Sequence, residues 1–243
     1  MHHPGKRSRS LADRALRWLK SLPLTHCTLC GAATGDLPIC DGCAADLPLL
    51  ENACPRCAEP MPTGNDQPCG HCQTTPPAFD TAYSPYRYEA PISNLVRALK
   101  FDQQLHHARL LGTLLGRWLA PALHRRPDLI IPVPMHRRRQ GERGFNQALE
   151  LARFVGKTLD LPVAAGAVVR VRETPPQVGL KRRERQRNLR RAFAVRDDGI
   201  TGASLLLIDD VMTTGATLHQ LAATLRRHGA SEITAATVAR APS

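Results

Sequence analysis

The sequence predicts an α/β protein, a mostly parallel sheet flanked by helices and preceded by a small cysteine-rich module. Three observations lead there. From residue 78 onward, short apolar runs alternate with amphipathic stretches of ten residues or more, the pattern of strands joined by crossover helices. All eight cysteines lie between residues 27 and 72. Hydrophobic residues at 42% and charged residues at 22% are ordinary for a globular chain and too apolar for disorder. The expected division is a basic N-terminal segment over 1–24, the cysteine module over 25–77 and the α/β domain over 78–243.

The cysteines form four Cys-x-x-Cys pairs: Cys27/Cys30, Cys40/Cys43, Cys54/Cys57 and Cys69/Cys72. A two-residue spacer lets a tight turn aim both sulfurs at one tetrahedral ion, and two such knuckles complete a four-thiolate site. Gly42, Pro55 and Gly70 suit the turns. A disulfide scaffold would need an oxidising compartment, and a redox pair needs only one Cys-x-x-Cys. Two structural Zn²⁺ sites are therefore expected. His26 and His71 are read as bystanders, because eight thiolates already fill two sites. Sequential pairing of the four knuckles is the simpler assignment, and interleaved pairing fits the spacing as well. With few large apolar side chains over 27–72, the metal supplies most of the folding energy.

Each element of the larger domain has its own signal. Pro91 opens a helix with the apolar stripe Ile92, Leu95, Val96 and Leu99. A second helix over 105–123 turns Leu111, Leu115, Trp118 and Leu119 inward. A short strand over 129–133 ends at Pro132 and Pro134, and a helix over 145–159 buries Leu151, Val155 and Leu159. Strands follow at 168–171 and 193–195. A fully apolar strand at 204–208, a helix over 216–228 stopped by Gly229, and a strand at 233–238 complete the domain.

The most informative segment is LLLIDDVMTTGAT, residues 205–217. An apolar strand delivers Asp209 and Asp210 at its carboxyl end, where ligands bind in open parallel sheets. Thr213, Thr214, Gly215, Ala216 and Thr217 follow, with three hydroxyls, a glycine that admits close backbone approach, and a helix N-terminus. That is a phosphate cradle by construction. Two carboxylates beside it suit ribose hydroxyls, which donate to them.

Charge points the same way. Net charge is +12, and three stretches hold the excess: 1–20 at +5, 136–143 at +3 and 181–191 at +6. The remaining residues are close to neutral, so the patches are read as addressed to anionic partners. No apolar run is long enough to span a membrane, and the basic N-terminus lacks a continuous apolar leader core, so a cytoplasmic protein is expected.

At residues 209–217 the sequence resembles the type I phosphoribosyltransferases, whose fingerprint binds phosphoribosyl pyrophosphate (PRPP). Two further strings, IPVPMHRRRQGERGFNQ at 131–147 and QVGLKRRERQRN at 177–188, resemble the ComF family of ComFC- and GntX-like proteins, as do cysteine pairs ahead of the transferase-like domain. By that resemblance Asp209 and Asp210 hold the ribose hydroxyls and residues 213–217 the 5′-phosphate. The loop over 133–139 contacts pyrophosphate, and a mobile loop over 175–190 closes on the reacting centre. Arg137, Lys181, Arg182 and Arg185 are then the candidates to neutralise the leaving pyrophosphate. Mg²⁺ would arrive with PRPP, held largely by the ligand's oxygens. His136 beside three arginines is a weaker candidate base.

The resemblance also implies a role in DNA uptake and processing during natural transformation, with single-stranded DNA and competence-machinery proteins as partners. The 1–20 patch and the zinc ribbons suit nucleic acid, and Tyr83, Tyr86 and Tyr88 are candidate stacking residues. Two alternatives stand beside it: an active phosphoribosyltransferase acting on a nucleobase or other nitrogenous acceptor, and a non-catalytic PRPP sensor or DNA platform.

Overall fold

The structure is a computed structural model, and it describes residues 25–62, 67–102, 104–171 and 192–242. It divides into two compact units, Met1–Asp46 and Leu47–Ser243. The basic segment 1–24 and the loop carrying Lys181, Arg182 and Arg185 lie outside the described residues.

In the smaller unit, β1 (Thr25–His26) pairs antiparallel with β2 (Ala33–Thr34), and α1 (Asp41–Ala45) follows. Between the strands the chain turns through Cys27–Cys30, with the Gly31 N–H donating to the Cys27 carbonyl at 2.8 Å. Gly31 has φ +77°, a left-handed conformation that glycine adopts without steric cost.

The larger unit opens with a second knuckle of the same design. The Ala58 N–H returns to the Cys54 carbonyl at 2.8 Å, and α2 (Gly70–Thr74) follows. The main sheet is parallel throughout. Its order is β3 (Thr81–Tyr83), β9 (Glu232–Arg240), β8 (Ser204–Met212), β5 (Leu129–Pro132), and β4 (Tyr86–Arg87) also pairs β9. Pro132 is tolerated because β5 is an edge strand, and Val133 resumes the ladder by donating to Ile208 at 2.9 Å. A separate antiparallel pair joins β6 (Val168–Arg170) to β7 (Phe193–Val195).

Between these strands run α3 (Ile92–Phe101), α4 (His106–Ala122), α5 (Arg137–Arg143), α6 (Gln147–Leu159) and α7 (Ala216–Arg227). Strand alternation divides the core between the two sheet faces. Leu205 and Leu207 join a buried cluster with Leu218, Leu221 and Leu225 of α7. On the other face, α6 lies against β5 and β8, and α4 lies against α6. Gly112 and Gly116 permit that helix contact: a Cβ on Gly112 would stand 2.8 Å from the Leu151 carbonyl oxygen, and one on Gly116 2.7 Å from the Thr158 Cβ. None of the described helices is long and apolar enough to cross a membrane.

The expected helices and strands are all present, β3 and β4 are additional, and two further differences stand out. Residues 137–143, read as loop, form α5, because the His136 side chain caps it by accepting from the Arg138 N–H and Gly144 closes it in a left-handed turn. Strand β8 runs past Ile208 to Met212, since β9 continues to pair with it through Arg240. Of the candidate stacking tyrosines, Tyr86 is buried, and the Tyr83 hydroxyl donates to the Ala122 carbonyl at 3.0 Å.

Candidate ligand site and metal centres

The eight sulfurs gather into two groups, Cys27/Cys30/Cys40/Cys43 and Cys54/Cys57/Cys69/Cys72, each with its ligand atoms within 4.8 Å of one another. The pairing is sequential. Each group combines a knuckle with a Cys-x-x-Cys that opens a short helix, whose N-cap is Cys40 or Cys69. The distances fit zinc. A tetrahedral ion with Zn–S near 2.3 Å sets its sulfurs about 3.8 Å apart, and Cys30 and Cys40 stand 3.6 Å apart, Cys57 and Cys69 3.7 Å. Neighbouring sulfurs push Cys43 up to about 12 and burial does the same for Cys57, so these thiols keep their protons until a cation takes the sulfur.

The second site forms where β8 ends. Asp209 and Asp210 leave the sheet side by side. The Asp210 N–H donates to Asp209 Oδ1 at 2.9 Å, and the Val211 N–H to Asp210 Oδ1 at 2.6 Å. Lys100, at the last turn of α3, places Nζ 2.8 Å from the same Asp210 oxygen. Burial works against the Lys100 charge, but Asp210 and then Asp209 raise its pKa overall. Asp210 Oδ2 is buried with no hydrogen-bond partner among the described residues, an acceptor left for a donor.

Asp209 differs. Burial, then the Asp210 charge, push its carboxyl up to about 7. Because the folded value exceeds the ordinary 3.8, its contribution to stability is whole below 3.8 and is lost as pH rises through 7.

Two adjoining cavities share Asp209 and Thr217. One is the cradle formed by Met212, Thr213, Thr214, Gly215, Ala216 and Thr217. Gly215 has φ +70° and caps α7, and Thr214 Oγ1 accepts weakly from the Ala216 N–H at 3.4 Å. The other, of about 280 Å³, is walled by Lys100, Arg139, Arg143 and Arg170 around the two carboxylates. Four basic side chains thus line the cavity with two carboxyl groups. Burial and the nearby Arg139 lower the Arg170 pKa, while Asp209 works the other way. Asn146 holds the wall in place: its Nδ2 donates to the Val133 carbonyl at 3.1 Å, and its Oδ1 caps α6.

Of the arginines expected here, Arg137 is exposed and lines a neighbouring cavity that shares Arg170 and Asn146 with this one. Lys181, Arg182 and Arg185 lie outside the described residues. His136 is occupied as the cap of α5.

Comparison with known proteins agrees with this architecture. Residues 18–73 match the double zinc ribbon domain, and residues 146–243 match the phosphoribosyl transferase domain. The chain is 34% identical over 225 residues to the DNA utilization protein YhgH of Escherichia coli K12, covering 90% of this chain and 93% of that one. It is 33% identical to competence protein F of Haemophilus influenzae, covering 88% and 90%. Competence protein ComFC of Bacillus subtilis is 25% identical, with 80% of each chain covered. The chain belongs to the ComF family. As a ComF-family protein it carries a double zinc ribbon ahead of a phosphoribosyltransferase-type domain.

The sequence reading of this ComF-family chain missed Lys100 and Arg170 as members of the ligand cavity, and reached Arg139 and Arg143 only as part of the basic 136–143 patch. Lys100 carried a usable signal, a lysine one position beyond the apolar stripe of α3, where the charge ends up partly buried. Arg170 carried none, because long-range contacts, the pairing with β7 and a bridge to His136, set its place.

Proposed function

We propose that this ComF-family protein binds PRPP, and that it does so in DNA handling during natural transformation. The observation that supports PRPP most directly is the meeting of the Asp209/Asp210 strand end and the 213–217 cradle with Lys100, Arg139, Arg143 and Arg170. In this reading the carboxylates accept from the ribose hydroxyls, and the cradle takes the 5′-phosphate. The cationic wall takes the pyrophosphate, with Arg137 reached through the adjoining cavity. Lys181, Arg182 and Arg185, outside the described residues, are assigned to the same anion. Mg²⁺ enters on the ligand's own oxygens, since Lys100 already engages one of the two carboxylates. Single-stranded DNA falls to the +5 segment at 1–20 and the zinc ribbons. The names of the relatives, DNA utilization protein and competence protein, support that assignment.

Calorimetric titration with PRPP, with and without Mg²⁺, tests the site. Replacing Asp209→Asn together with Asp210→Asn should abolish measurable binding with the fold intact by circular dichroism. Unchanged affinity would remove the ribose assignment. Affinity for a single-stranded oligonucleotide should fall steeply with salt, and salt-insensitive binding would remove the DNA role.

A second reading, an active transferase, draws on Phe101. It is 68% exposed at the rim of the cavity, with the Arg143 guanidinium 5.2 Å from its ring centre, a surface on which a planar acceptor could stack. Pyrophosphate release in a screen of nitrogenous acceptors distinguishes it from a binding protein without turnover.

A further inference from the structure

Arg240 closes β9 and is 3% exposed, and its guanidinium joins two loops of the larger unit. Nη1 donates to the carbonyl of Met212 at 3.1 Å, and to those of Thr213 and Ala241. Nη2 pairs with the Glu59 carboxylate, and Nε donates to the Cys57 carbonyl at 3.3 Å. Met212 and Thr213 lead into the cradle. Cys57 and Glu59 belong to the second knuckle, where the Cys54 N–H donates to the Glu59 carbonyl at 2.8 Å. One buried cation is therefore held partly by a metal knuckle and partly by the entry to the phosphate loop.

Peptide geometry gives this link a consequence. In a trans peptide the C=O and the following N–H point in opposite directions on one rigid plane. Fixing the Met212 and Thr213 carbonyls on Arg240 therefore directs the Thr213 and Thr214 N–H groups away from it. Those donors belong to residues lining the cradle, which Arg240 itself does not line. A buried guanidinium holds its place only while its acceptors stay, because an unpaired buried charge is costly. Metal in the knuckle fixes Glu59 and the Cys57 carbonyl, these fix Arg240, and Arg240 fixes the loop.

We propose that Arg240 is a positioning residue for the phosphate loop, and that metal in the Cys54/Cys57/Cys69/Cys72 site and PRPP in the cradle strengthen each other's binding. The coupling rests on the PRPP reading above, and linkage makes it reciprocal: each ligand raises the other's affinity by the same factor.

The experiment is zinc competition against a chromophoric chelator, on the full zinc-loaded chain, with and without Mg²⁺ and PRPP. PRPP should tighten one of the two zinc ions by about fivefold or more. Glu59→Ala should keep two zinc ions, lose that tightening and bind PRPP more weakly by a similar factor. Glu59→Gln, which retains an acceptor oxygen, should recover part of both. If PRPP binds the unaltered chain and neither zinc affinity changes, the coupling is overturned while the loop assignment stands. If PRPP does not bind the unaltered chain, the loop assignment falls and the coupling with it. The wild-type comparison needs no variant, so a misfolded substitution does not decide the outcome.

Discussion

The two cysteine centres follow one plan in different surroundings. Both begin with a knuckle whose following residue, Gly31 or Ala58, donates its N–H back to the first cysteine's carbonyl, and both end in a short helix capped by the third cysteine. Between residues 26 and 46, only Cys27 and Ile39 are buried. The second centre instead places Ala58, 1% exposed, in the main apolar cluster and gives buried Arg240 two of its acceptors. One motif thus serves two purposes. Metal is the main organiser of the first site, and one support among several for the second.

The largest effect should come from serine pairs. Cys54→Ser with Cys72→Ser removes one zinc and loosens the acceptors of a buried arginine, a loss of about 3–5 kcal/mol from the larger unit in urea unfolding. Cys27→Ser with Cys43→Ser should remove the other zinc and leave that unit's urea midpoint unchanged. Equal losses from both pairs would break the contrast. Leu207→Ala comes next, lowering the larger unit by about 3 kcal/mol through a cavity in the sheet core. Because Ala58 packs in the same cluster, the affinity of one zinc should fall and the other hold; two unaltered affinities would separate the second centre from the core. The smallest effect lies at the knuckles. Gly31→Ala puts a Cβ in open space at φ +77°, so it should cost about 1 kcal/mol with no packing gain. Ala58→Gly relieves a similar strain at φ +54° but removes a buried methyl worth about 1 kcal/mol, leaving little net change in zinc affinity.

Legibility followed the range of the interactions. The cysteine pairs, the 205–217 string and the amphipathic stripes of α3, α4 and α6 are local patterns, and each became the element expected of it. Strands β3 and β4 were not legible, because two or three residues become strand only by pairing with β9. Helix α5 lacks an apolar stripe and depends on the caps at His136 and Gly144. Within the ligand cavity, the acids and the cradle are contiguous in sequence, whereas Lys100 and Arg170 come from α3 and β6, both far from them along the chain. A charge census located basic patches at 136–143 and 181–191, but it did not identify Lys100 or Arg170, which lie in neither.

The pairing of β3 with β9 has a consequence during synthesis. Thr81 sits opposite Thr234, so the earliest strand of the main sheet waits for the last. At ribosomal speeds of about 5–20 residues per second, that wait lasts roughly 10–30 s. All eight thiols have emerged before it begins. The ligands of the second centre are therefore complete while the sheet is still unfinished, and they are available to metal before Arg240 has been made.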